Sequence, residues 1–130
     1  MPGLTDLTEM LRTLTVTRRP ETYTFVSLAE APPLSDGVAA VIEEPEGPTI
    51  VASVERAAAE GWPIDFEAAW LTLDVHSALE AVGLTAAFSA ALADAGIPCN
   101  VLAGFHHDHL LVPVERADDA VRILEALGDS

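Results

Sequence analysis

Apolar positions along the chain fall into two recurring rhythms. Leu7, Met10, Leu11 and Leu14 recur at helical spacing behind Asp6, which has the chemistry of an N-cap with Glu9 three residues on. Thr13–Thr17 is β-branched and reads as a strand start. Arg18-Arg-Pro20-Glu21 reads as a turn, and Thr22–Leu28 as the strand after it. Val38–Ile42 and Thr49–Ala52 are short β runs, and the loop from Glu43 to Pro48 makes them a hairpin. Ser53 is placed to cap a helix over Val54–Glu60, which Gly61 ends.

Alternation in Ala68–Val75 puts Leu71, Leu73 and Val75 on one face of a strand and Trp70, Thr72 and Asp74 on the other. His76–Gly83 reads as a loop. Leu84–Ala95 follows as a helix with Leu84, Phe88, Ala91, Leu92 and Ala95 on one side, stopped by Gly96. Cys99–Ala103 and His109–Val114 are strands about a tight turn at Phe105–Asp108. Arg116–Leu127 is the last helix, with Asp118 and Asp119 in its first turn, where the helix dipole favours anions. The second half thus reads β-α-β-β-α. Both halves end in a hairpin followed by a helix, the mark of two related units.

Charge narrows the function classes. Six arginines, no lysine and 21 carboxylates give a formal charge of −15 over 130 residues. Phosphate backbones and anionic lipid surfaces need Lys and Arg, so neither nucleic acid nor membrane is an expected partner. Schiff-base and P-loop lysines are excluded outright. Half the residues are apolar, enough for a folded core. The lone Cys99 forms no internal disulfide, and no signal-peptide pattern or membrane-length apolar run stands out, so a cytoplasmic protein is expected.

Several segments, in order, carry a family resemblance. They are Val82-Gly-Leu-Thr85, Ala95-Gly-Ile-Pro98 and Phe105-x-x-Asp108-x-x-Leu-Val-Pro113. The stretch Ile64–Leu127 resembles the ACT domain, nearest to the small stand-alone bacterial ACT proteins related to aspartate kinase regulatory domains and eukaryotic cytosolic arginine sensors. The first half matches more loosely, as a second, divergent unit. The resemblance implies an α+β, ferredoxin-like ACT fold of two ACT-like units packed together, residues 1–63 and 64–130. The second half lacks the last strand of that pattern, and a strand from the first half is expected in its place. The resemblance also implies a non-catalytic regulatory or sensor protein that binds a small molecule, in this family an amino acid, without a cofactor, and that assembles as a homodimer.

The residues themselves offer a matching site. A glycine entering a helix leaves backbone N–H groups free for a carboxylate, and the helix dipole adds to them. Val82, Gly83, Leu84 and Thr85 stand there. Gly83 lets a ligand come close, and the Thr85 hydroxyl adds a donor. An ammonium needs acceptors, which Asn100, Val101 and Leu102 supply through strand carbonyls and the Asn100 amide, with Asp74 as the charged option. The plainer alternative is that Gly83 breaks the strand-to-helix turn and Asn100 satisfies buried backbone. A rival of another class uses His106, His107, Asp108 and His109, with His76, for zinc or nickel or for hydrolysis, although neighbouring strand residues face opposite ways. A Ser77/His76/Asp74 triad is too cramped along the chain to orient itself. Cys99 reads as a small buried apolar residue. A ligand-free ACT scaffold is the remaining alternative.

Overall fold

The computed structural model describes residues 7–75 and 83–129. The elements in chain order are α1 (Leu7–Thr13), β1 (Thr15–Ser27), β2 (Val38–Ile42), β3 (Thr49–Ser53), α2 (Val54–Glu60), β4 (Ala68–Asp74), α3 (Leu84–Asp94), β5 (Asn100–Ala103), β6 (Asp108–Pro113) and α4 (Ala117–Ala126). A single 3-10 turn, Val114–Arg116, leads into α4. The expected cap Asp6 and the expected loop over 76–82 lie outside the described residues. The chain divides into two compact units, one of residues 1–19 with 69–130 and the other of residues 20–68.

In the first unit the strands run β1-β4-β6-β5. The stretch from β4 to α4 follows the ferredoxin-like β-α-β-β-α order, and Thr15–Arg19 of β1 stands beside β4 as the strand that this order lacks. Thr17 meets Asp74 while Arg19 lies over Trp70, so β1 and β4 run in opposite directions. β5 and β6 pair antiparallel with Leu102 opposite His109 and Asn100 opposite Leu111.

The odd residues of β4 (Ala69, Leu71, Leu73 and then Val75) face the core, as their alternation requires. Met10 and Leu14, Leu84, Phe88 and Leu92, and Ala117, Ala120 and Leu124 meet them from the helical segments. Each large side chain buried this way contributes about 1.5–3 kcal/mol of hydrophobic stabilisation. α3 ends where Gly96 takes a φ of 72° and its N–H reaches Ala93 O at 2.9 Å.

The second unit carries the strand order β2-β3-β1, with Val26 opposite Ile50 and Ile42 opposite Thr49. A register shift between Val38 and Ala40 marks a bulge in β2. The Ser53 side chain accepts the Arg56 N–H at 3.1 Å, and Gly61 closes α2 at a φ of 75°, as their chemistry predicts.

The turn expected at Arg18–Glu21 does not form. β1 runs unbroken through Pro20. Its observed pairing with β3 begins only at Tyr23, so no ladder bond to β3 is asked of the nitrogen that proline lacks. Proline's fixed φ also lies inside the extended region.

Candidate functional site

The polar face of β4 in the first unit is where the chemistry gathers. Trp70 Nε1 donates to Thr72 Oγ1 at 3.2 Å, and Thr72 Oγ1 lies 3.0 Å from His109 Nδ1. The indole is a donor only, so Thr72 Oγ1 accepts from it and bridges Trp70 to His109. The Arg19 guanidinium lies 4.0 Å from the Trp70 ring centroid, and the His109 ring 5.2 Å from it. Burial first, then Arg19 and His107, pushes the His109 pKa below its ordinary 6.5, against the opposing pull of Asp108 and Asp74. Burial raises the Asp108 pKa.

Asp74 closes β4 at the rim of this network. Its Oδ2 accepts a short hydrogen bond from Thr17 Oγ1, and its Oδ1 lies 4.0 Å from His107 Nδ1. The carboxylate is part-exposed and retains acceptor capacity beyond the Thr17 bond.

At the start of α3, Gly83 has a φ of 101°, a left-handed conformation that suits glycine. No side chain among the described residues caps this helix, and its first turn carries no acid. The Gly83 carbonyl accepts the Ala87 N–H at 2.9 Å, so the helix begins in register with its earlier amides beyond the reach of any intrahelical acceptor. Thr85 is exposed. Leu84 points inward and belongs to the core. A Cβ on Gly83 would lie 3.2 Å from Leu7 Cδ2, so that side of the glycine is occupied by α1.

The residues singled out in the sequence therefore do not form one cluster. Asp74 and Gly83 flank Val75 and Leu84, which share one core. Asn100 and Leu102 lie on β5 further along the sheet. Leu102 is level with His109 and hence with Thr72, and Asn100 is level with Leu111. Four residues of strand, about 13 Å, thus separate the level of Asn100 from that of Asp74. Asn100 and Val101 are exposed, and Val101 pairs with Leu110. Val82, His76 and Ser77 lie outside the described residues.

The network also contains residues that the sequence did not single out for function, Thr17, Arg19, Trp70 and Thr72, together with His109, which the sequence offered only for the metal or hydrolytic rival. Alternation placed Trp70 and Thr72 beside Asp74. Their partners come from β1 and β6, and only the crossover order brings those strands to β4. The histidine turn is open: Phe105 is 75 % exposed and His106 packs edge-on against it at 5.0 Å. Among the described residues no three His, Cys, Asp or Glu side chains are grouped to hold a metal ion. Burial raises the Cys99 pKa, which keeps the thiol protonated, and the side chain packs against the core. No described helix is long and apolar enough to cross a membrane.

Comparison with known proteins fits this architecture. ACT-domain models match residues 65–126 and residues 2–69. The chain belongs to the ACT domain family. It holds two ACT-like units on a ferredoxin-like plan. A Vibrio cholerae protein, described as of unknown function and a possible transport protein, is 38 % identical over 94 % of this ACT chain and 95 % of its own, with a TM-score of 0.85. A protein from Agrobacterium tumefaciens is 20 % identical over 88 % of this chain and 89 % of its own, at a TM-score of 0.70. The ligand-free regulatory subunit of aspartate kinase from Thermus thermophilus shares the fold at 13 % identity, covering 86 % of this chain and 95 % of its own, with a TM-score of 0.60. No curated protein matches the sequence.

Proposed function

We propose that this ACT protein is a non-catalytic sensor that binds a free amino acid at the Asp74 end of its first unit. Two features of the first unit carry the reading: the start of α3, which no side chain among the described residues caps and which suits a carboxylate, and the part-exposed Asp74 carboxylate at the end of β4, which suits an ammonium. A zwitterion needs both and no basic side chain, which agrees with a chain of six arginines and no lysine. Membership of the ACT family, and a neighbour that is the regulatory subunit of aspartate kinase, support a regulatory role. The reading includes a cytoplasmic homodimer of two 1–63 and 64–130 halves per chain.

Thermal shift against the twenty amino acids tests the proposal. At least one should raise the melting temperature. Asp74→Asn should weaken that ligand about tenfold or more, since a bond to a charged group is worth roughly 1.5–3 kcal/mol. Thr85→Val should cost only a few-fold. A shift with zinc or nickel and with no amino acid would move the site to the histidine turn. Silence with all of them, alongside a dimer in light scattering, would leave a scaffold.

A further inference from the structure

We infer that the outer edge of β5 is a self-pairing interface, where two copies of this chain join strand to strand, antiparallel, with Leu102 of each on the two-fold axis. The inference rests on the homodimer of the proposed function and names the surface that makes it.

β5 ends the first unit's strand order, and among the described residues it pairs with β6 alone. Gly104 donates its N–H to His107 O at 2.9 Å across the hairpin. Bonded pairs in an antiparallel ladder recur at every second residue, so Leu102 with His109 and Asn100 with Leu111 are the bonded pairs of β5 and β6. Val101 and Ala103 therefore turn their N–H and C=O groups outward, away from β6. Both residues are exposed, Val101 at 37 %, and Phe105 just beyond them at 75 %. An open row of donors and acceptors beside apolar side chains is a template for another strand.

The edge strand of the second unit shows what protection of an edge looks like. β2 has a bulge between Val38 and Ala40, and Glu43 and Glu44 follow it directly. β5 has an unbroken register and no charge. No Asp, Glu, Lys or Arg lies between Asp94 and Asp108, in a chain whose formal charge is −15. Two copies of such a chain repel, and at this neutral edge they meet without opposing carboxylates. A two-fold axis demands a patch that complements itself. With Leu102 on the axis, Val101 of each copy lies opposite the partner's Ala103, so the outward groups of both residues find partners at once. The same register sets Gly104 level with the partner's Asn100, which carries Phe105 onto the partner's edge. The four residues of β5 make a short ladder, so the dimer dissociates on dilution.

Two arms test this. Hydrogen exchange on wild type needs no variant. The Val101 and Ala103 amides should be protected at high micromolar concentration and lose that protection on dilution, whereas Leu102, bonded to β6, should stay protected at both. Fast exchange of Val101 and Ala103 at the higher concentration overturns the inference. In the second arm, light scattering follows two double variants, Val101→Glu with Ala103→Glu and Val101→Lys with Ala103→Lys. Both positions are exposed, so the fold should hold. Each variant alone should lose the dimer, because the register sets like charges opposite one another, and an equal mixture of the two should regain it. A dimer that persists in either variant alone keeps the homodimer but moves its interface elsewhere, which overturns the inference, as does a mixture that stays monomeric. A wild-type monomer at high micromolar concentration removes the homodimer and this interface together, while amino-acid binding stands or falls by its own thermal-shift test.

Discussion

Three helices supply the first unit's core, and its sheet is apolar towards them: Leu71, Leu73, Leu110 and Val112 meet Met10, Phe88, Leu92 and Leu124. In residues 20–68 a smaller core gathers Val26, Val38, Ile50 and Ala52 from the strands, with Leu28, Val41 and Trp62 at its margin. Strand β3 is buried at each residue from Ile50 to Ser53, so both of its faces are taken up by packing. β4 is likewise buried from Ala68 to Leu71, and the first unit differs at the end of that strand, where part-exposed Thr72 and Asp74 make polar contacts with β6 and β1. Polar chemistry collects where the strand end is released from packing.

Core truncation should separate the two units most sharply. Phe88→Ala removes a fully buried ring among helix and strand side chains, and should cost about 3–5 kcal/mol in denaturant unfolding. Ile50→Val, the mildest cut in the smaller core, should cost roughly 0.5–1.5 kcal/mol. A loss at Phe88→Ala no larger than that at Ile50→Val would contradict the close packing of the ring in the first unit's core. Ser53→Ala strips the cap of α2 and should cost about 1 kcal/mol. A cap loss below a few tenths would show that α2 is held by packing alone.

The pH response should belong to the first unit. His109 binds its proton less readily when folded than at its ordinary 6.5. The unfolded chain therefore takes up more protons, and stability should fall as pH drops through 6.5 towards the lower folded value. Above 6.5 this contribution should be flat. His109→Gln should level the slope in melting temperature against pH, and an unchanged slope would assign it to other groups.

The smallest effect concerns Thr24, whose buried hydroxyl has no hydrogen-bond partner among the described residues. Thr24→Val replaces an unsatisfied polar atom with a methyl of similar size, and should leave stability unchanged or raise it. A clear loss in chemical denaturation would reveal a partner for the hydroxyl.

Much of this arrangement was legible in the residues. Ser53 and Gly61 marked α2 to the residue, because a capping oxygen and a left-handed glycine are local requirements. The alternation of Leu71 and Leu73 with Trp70 and Thr72 fixed the faces of β4. What was not legible depends on partners far along the chain. Pro20 reads as a turn until the pairing of β1 with β3 is seen to start beyond it. Asn100 reads as a neighbour of Asp74 until the register sets it opposite Leu111. Leu7 filling the space above Gly83 depends on how α1 and α3 meet, which no local signal carries.

The most direct test of the account is backbone NMR of the protein titrated with the amino acid that gives the largest thermal shift. The account predicts that amide shifts at Asp74, Leu84, Thr85 and Ala86 move together and saturably, while those of Ile50, Val51 and Ala52 in the second unit stay in place. Movement confined to Phe105–His107, or centred on Ile50–Ala52 with the start of α3 unmoved, would contradict it.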